Sequence, residues 1–163
     1  MQRGWFQEMQ KKSLRIFAIV SLLLILVVVA GCGGGSGAKR ISGLSPEGVV
    51  KTFFDSAKNN KMNEAGLYIS PASAGDAKTV VKFMTGGSGL EQIKKSNLMS
   101  VKLAGQQSDY AVVVASLQEQ DSFKFTVKPV GLEKIDGEWY IVDFDQIYTD
   151  AKYKVLAQLL ANI

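Results

Sequence analysis

Apolar positions fall into three regimes along the chain. From Ile16 to Ala30 every residue except Ser21 is apolar, with Arg3, Lys11, Lys12 and Arg15 ahead of the run. Residues 33–44, GGGSGAKRISGL, then hold five glycines and two serines. From Ser45 onward the pattern becomes periodic. Ser45, Pro46 and Glu47 supply an N-cap, a first-turn proline and a first-turn acid. Val49, Val50, Phe53, Phe54 and Ala57 follow at helical spacing and predict one apolar face, ending at Asn59-Asn60. A short helix is expected over Met62, Ala65, Leu67, Tyr68 and Ile69, stopping at Ser70-Pro71. A third covers about Asp76 to Met84, closed by Gly86-Gly87, and a last helical turn holds Leu90 and Ile93.

From Leu98 the period becomes two. Met99, Val101 and Leu103 alternate with polar or small residues, and Tyr110 to Leu117 is apolar on nearly both faces. Phe123, Phe125 and Val127 alternate with Lys124, Thr126 and Lys128. Pro129 and Gly131 suggest a bulge or bend before the strand resumes through Leu132 and Ile135. Asp136-Gly137 is a two-residue hairpin signal, and the last strand is expected from Glu138 to Phe144. That strand is apolar on both faces. Tyr153, Leu156, Leu159, Leu160 and Ile163 share one helical face and predict a C-terminal amphipathic helix over the outer sheet face. A homodimer through that face is the alternative cover. The expectation is an α+β domain: N-terminal helices against a curved antiparallel sheet of about four strands, with the C-terminal helix added.

Composition narrows the chemistry. One cysteine and no histidine exclude an internal disulfide, a CxxC pair, imidazole metal ligands and Ser-His-Asp or Cys-His catalysis. The formal charge is +4, from Lys+Arg 19 against Asp+Glu 15. Four of those basic residues and one acid precede Cys32. The remainder carries 15 against 14, a net of +1. Lys39-Arg40 and Lys94-Lys95 are the adjacent basic pairs after that point, and both read as solvated surface, so nothing calls for nucleic acid. Lys39-Arg40 is also placed to touch anionic headgroups.

A basic segment, a short apolar run and small residues at its end make a secretory signal over residues 1–31. The run has 15 residues, against the ~20 a spanning helix needs. Translation from Met9 would give a more compact signal. Its end, Val29-Ala30-Gly31-Cys32, resembles the bacterial lipobox. The resemblance implies cleavage between Gly31 and Cys32, and lipid attachment at Cys32. A diacyl anchor holds a protein stably at a membrane. Residues 32–44 then form the lipidated cysteine and a Gly-rich tether, residues 45–145 the domain, and residues 146–163 a helical extension. The implied location is extracytoplasmic, on the outer leaflet of the cytoplasmic membrane or on the outer membrane.

The opening SPEGVVKTFFDSAKNNKMNEAGLYIS and the closing LEKIDGEWYIVDF resemble the nuclear transport factor two-like, cystatin-like superfamily, in particular its small bacterial lipoproteins. That resemblance implies a cone of helices wrapped by a curved sheet, and spans about residues 45 to 145. Its members include isomerases and dehydratases as well as non-catalytic binders. Isomerases of the fold use an interior carboxylate with a tyrosine. Asp143, placed on the strand face of Trp139 and Ile141, is the candidate interior carboxylate. Tyr68, Tyr110 and Trp139 are the candidate ligand-contacting residues. The expected core is otherwise apolar: Phe53, Phe54, Phe83, Val101, Phe125, Trp139 and Ile141. No metal or cofactor is called for. The leading expectation is a membrane-tethered, non-catalytic module of the cell envelope, binding a small apolar ligand or an envelope protein. The alternatives are an isomerase- or hydratase-like enzyme and a purely structural envelope protein.

Overall fold

The computed structural model describes residues 38–87 and 89–163. The signal, Gly31, Cys32 and the first part of the tether lie outside the described residues. Among the described residues no helix is long and apolar enough to cross a membrane.

Helix α1 (Pro46–Lys58) begins as its sequence dictates, with the Ser45 hydroxyl accepting from the Gly48 amide at 3.2 Å. Its Val49, Val50, Phe53, Phe54 and Ala57 are buried against the sheet. Helix α2 (Met62–Gly66) is shorter than the apolar spacing suggests. After it the chain extends and pairs with the last strand. The Ile141 amide donates to the Tyr68 carbonyl, and the Ser70 amide to the Ile141 carbonyl, each at 2.8 Å. Helix α3 (Ala77–Met84) is capped by Asp76, whose carboxylate accepts from the Thr79 amide and hydroxyl. These bonds hold the Asp76 pKa below the usual carboxylate value. Helix α4 (Leu90–Lys94) leads into the sheet.

The sheet is antiparallel, in the order β1 (Ser96–Gln107), β2 (Tyr110–Glu119), β3 (Phe125–Ile135), β4 (Glu138–Ile141). The expected hairpin at Asp136-Gly137 is present, and both residues take positive φ, 51° and 85°. Two bulges interrupt β1, between Leu98 and Ser100 and between Leu103 and Gly105. They break the alternation that the sequence pattern suggests. Val101 is buried while Met99 and Leu103 are exposed.

Three further expectations are corrected. No bulge occurs at Pro129, because β3 pairs with β2 in unbroken register from Phe125 to Glu133. The Lys124 carbonyl accepts from Glu119 and the Lys134 amide donates to Asp109, so even positions of β3 bond toward β2. Pro129 therefore presents its missing N–H to the opposite side, beyond the end of β4, where no ladder bond is lost. Second, β4 stops at Ile141 instead of reaching Phe144. Asp143 has the stronger local option of capping helix α5 (Phe144–Thr149), accepting from the Asp145 and Gln146 amides. Third, Phe125 is 57% exposed and is not core. It shares its face of β3 with Gly131, and that is the outer face.

Each sheet face has its own apolar cluster. Helices α1 to α4 cover the inner one, around Phe53, Phe54, Met84, Leu132 and Ile141. The outer cluster joins Val112, Val142, Ile147, Tyr153 and Leu156. Its cover comes from α5, a 3-10 turn (Ala151–Tyr153) and the C-terminal helix α6 (Lys154–Ala161), as the amphipathic pattern predicts. Gly131 permits this approach. A Cβ there would lie 2.6 Å from Ile147 Cδ1 and 2.9 Å from Leu156 Cδ2. Both neighbours are buried and have little room to yield. Gly131→Ala should lower unfolding stability by about 1–3 kcal/mol, despite the small gain from a less flexible unfolded chain. Denaturant titration measures this, and an unchanged or raised midpoint would refute the close approach.

Candidate functional site

The space between helices and sheet is filled by side chains. Phe53, Phe54, Met84, Ile93, Leu132 and Ile141 are at most 1% exposed. A cavity bounded by Met84, Leu117 and Thr126 measures ≈ 20 Å³, and one bounded by Val80, Val130 and Ile141 ≈ 10 Å³. Each has room for about one water molecule. The larger spaces are open surface grooves. One of ≈ 440 Å³ runs between Lys51 and Asp55 of α1 and Leu98 to Lys102 of β1. Another of ≈ 290 Å³ lies between α3 and α5, lined by Thr79, Lys82, Phe83, Asp143, Phe144 and Asp145. Among the described residues no three Asp, Glu, Cys or His side chains are grouped to hold a metal ion.

The residues singled out from sequence are committed to two polar clusters and a cap. The first cluster fastens the end of the tether. Arg40 Nη1 donates to Glu138 Oε2 at 2.5 Å, Nη2 to the Trp139 carbonyl at 2.5 Å, and Nε to the Leu67 carbonyl at 3.2 Å. Its guanidinium also lies over the Tyr140 ring at 4.3 Å and the Tyr68 ring at 5.3 Å. The Ile41 amide donates to the Tyr68 hydroxyl, and the Gly43 amide to Glu138. Tyr68 and the Trp139 carbonyl thus serve this clasp, and the Trp139 side chain belongs to the inner core. Arg40 is not the solvated residue that a basic pair at a tether suggests. The compact body starts at Ala38, ahead of Ser45.

The second cluster lies on the outer face. Glu133 of β3 is 3% exposed. Its Oε1 accepts from the Ser70 hydroxyl and from the Tyr153 hydroxyl at 3.0 Å. Its Oε2 pairs with the Lys152 ammonium at 2.7 Å. Tyr110 sits opposite Glu133 on β2, stacks edge-on to Tyr153, and donates its hydroxyl to the Lys152 carbonyl. Tyr110 is therefore a partner of the C-terminal extension and does not face the interior. Three segments meet on one buried carboxylate, and neither open groove is lined by it.

Asp143 is 8% exposed, but its Oδ1 caps α5 and its side chain lies against Gly75, where a Cβ would come within 2.5 Å of Oδ2. It lines the α3–α5 groove and does not enter the interior. No tyrosine hydroxyl is among its hydrogen-bond partners. The carboxylate–tyrosine pair of the structure is Glu133 with Tyr153, and its donors already hold it in place. Sequence reasoning passed over Glu133, Ser70 and Lys152. The available signal was Glu133 itself, a charged residue on a strand face that the C-terminal helix was expected to cover; a covered charge requires partners.

The charges set how each cluster responds to pH. The Arg40 guanidinium, with the Gly43 amide, holds the Glu138 pKa below its usual 4.5. The clasp is at full strength above that value and weakens as pH falls through the lower folded value. Hydrogen bonding to Glu133 raises the Lys152 pKa above 10.5. Burial, then Glu133, raises the Tyr153 phenol above 10.0. Both contributions are complete below those ordinary values and disappear as pH rises through the folded ones.

Two outcomes follow from these clusters. Arg40→Ala should free Ile41 and Gly43, which amide hydrogen exchange reads as faster exchange at both positions with the sheet amides unchanged. Tyr153→Phe keeps the ring and removes the hydroxyl from Glu133, and should cost about 1 kcal/mol. Its unfolding midpoint should also lose part of the alkaline dependence of the parent. Identical alkaline profiles would refute the assigned role of the phenol.

No protein-family model matches the chain, and no curated protein matches it.

Proposed function

We propose that the protein is a lipid-anchored, extracytoplasmic module of the cell envelope that binds another protein and performs no chemistry of its own. The observation that carries this reading is the contrast between its two ends. At one end, Arg40 and Glu138 fasten the incoming chain beside the β3–β4 hairpin. At the other, past the end of β2, Phe123 is 96% exposed and is followed by Phe125 and Val127, both more than half exposed. Strand β3 has 11 residues between these ends, a length of ~35 Å. Exposed apolar side chains clustered at one place on a soluble body mark an interaction surface.

The lipobox resemblance at Val29-Ala30-Gly31-Cys32 supports the anchor. With Cys32 in the bilayer, the stretch from Cys32 to the clasp at Arg40 reaches at most about 28 Å. Three features argue against catalysis. Among the described residues the interior spaces of ≈ 20 and ≈ 10 Å³ are water-sized, the candidate Asp143 is a helix cap, and the buried Glu133 is tied to three donors. The filled interior likewise moves the expected ligand from a small apolar molecule to a protein surface.

Two measurements test the reading. Cys32→Ser should abolish incorporation of labelled fatty acid and move the protein out of the membrane fraction; a variant that remains lipidated would overturn the anchor. A photo-crosslinking side chain at position 123, in cells, should join the anchored protein to another envelope protein. One at position 148, on an exposed part of α5, should not. Absence of any adduct from either position would overturn the binding module.

A further inference from the structure

We propose that the open edge of β3, from Phe125 to Pro129, receives an extended segment of a partner protein in which apolar and acidic residues alternate. This deepens the binding-module reading and rests on it. The inference starts from the hydrogen-bond parity of the strand. Even residues of β3 bond to β2, and odd residues face the other way. Glu133 and Ile135 find β4 there, and the Gly131 carbonyl accepts from the Val142 amide. Beyond that point β4 has ended. The amides and carbonyls of Phe125 and Val127 point to a side with no strand among the described residues, while the Pro129 end borders the stacked Phe83 and Phe144 rings. The other sheet edges differ. The segment Tyr68–Ser70 bonds to β4, and β1 carries two bulges, which discourage strand addition.

The two faces of this edge ask for different side chains. On the outer face Phe125 and Val127 are 57% and 59% exposed. On the inner face lie Lys124 and Lys128; Glu119 of β2 sits opposite Lys124, and between Asp121 and Glu133 the strand itself carries no acid, so Lys128 is the cation with no acid directly across from it on β2. Lys128 already reaches over the Phe83 ring at 4.9 Å. A strand added here would place alternate side chains beside Phe125 and Val127, and the intervening ones beside the two lysines. Apolar residues suit the first set and acids the second. Main-chain bonds would supply affinity and the alternation would supply specificity. A second copy of this chain is a poorer occupant. Pairing two β3 edges about Val127 would gather Lys124 and Lys128 of both copies on one face, where like charges repel.

The test titrates short peptides alternating valine or leucine with glutamate against the full chain in detergent. Matching peptides with lysine in place of glutamate are the controls. The glutamate peptides should bind about tenfold more tightly and slow amide exchange at Phe125 and Val127. Lys124→Glu with Lys128→Glu should reverse the preference. Val127→Pro removes an edge donor without touching a ladder bond, so it should abolish binding with the circular dichroism spectrum unchanged. Binding that is indifferent to peptide charge, or that protects amides elsewhere, would overturn the edge and leave the binding module standing. No binding by any glutamate peptide would overturn the edge as well, while the module falls only with the crosslinking result at position 123. A concentration-dependent dimer that Val127→Pro dissociates would place a second copy on the edge and overturn the proposal. Protection of the same amides by anionic vesicles alone would replace the peptide with a lipid surface.

Discussion

A four-stranded sheet with apolar residues on both faces must be covered twice, and the rest of this structure follows from that demand. Helices α1 to α4 cover the inner face, with Phe53, Phe54 and Met84 packed on Leu132 and Ile141. Among the described residues the outer face is covered by α5, the 3-10 turn and α6, which follow the sheet in the chain. They can approach because position 131 has no side chain. Burial of Ile147, Tyr153 and Leu156 drives the approach. The approach also encloses Glu133, and a carboxylate taken out of water is tolerable only with partners. Ser70 supplies one from the segment beside β4, and Tyr153 and Lys152 supply two from the extension itself. The polar cluster is thus a consequence of the second layer and fixes its register.

Much of this architecture was legible in the residues. The Ser45-Pro46-Glu47 helix start, the period-two strands, the Asp136-Gly137 hairpin and the apolar face of α6 each carry a local signal with one dominant physical cause. Where two causes compete, pattern alone chose wrongly. Val142 to Phe144 continues an apolar strand, yet Asp143 caps a helix, because two orphan amides gain a carboxylate acceptor there. Pro129 resembles a strand breaker, yet it is harmless on the side that β4 does not reach. Phe125 resembles core because large aromatics usually are. Its face of β3 turns outward, and α6 does not extend over it.

The candidate site was less legible, for a reason of range. Arg40 and Glu138 are 98 positions apart, and Ser70 and Glu133 are 63 apart. No local spacing announces such pairs. Tyr68, Tyr110 and Trp139 were picked out as polar-tipped aromatics that a pocket would use, and each does hold a polar contact through its side chain or backbone. The contacts are with the chain itself: Tyr68 and the Trp139 backbone with the tether, Tyr110 with the extension. The same amphipathic chemistry serves a ligand or a clasp, and only the fold decides between them.

The two ends of β3 show how unevenly the molecule satisfies itself. Near Ile135 every element of the strand is used: β4 pairs with it, Glu138 holds the Gly43 amide, and Arg40 closes the corner over Tyr140. Near Phe125, among the described residues, the backbone is bonded toward β2 alone, and the exposed side chains are Phe123, Lys124, Phe125 and Val127. An exposed strand edge is a standing aggregation hazard, and proteins blunt such edges with lysine and proline. Lys124, Lys128 and Pro129 are residues of that kind, and under the proposal they disfavour a second copy while leaving the Phe125 and Val127 amides to a partner strand. An edge guarded against its own kind and still open in the backbone is suited to a partner of opposite charge.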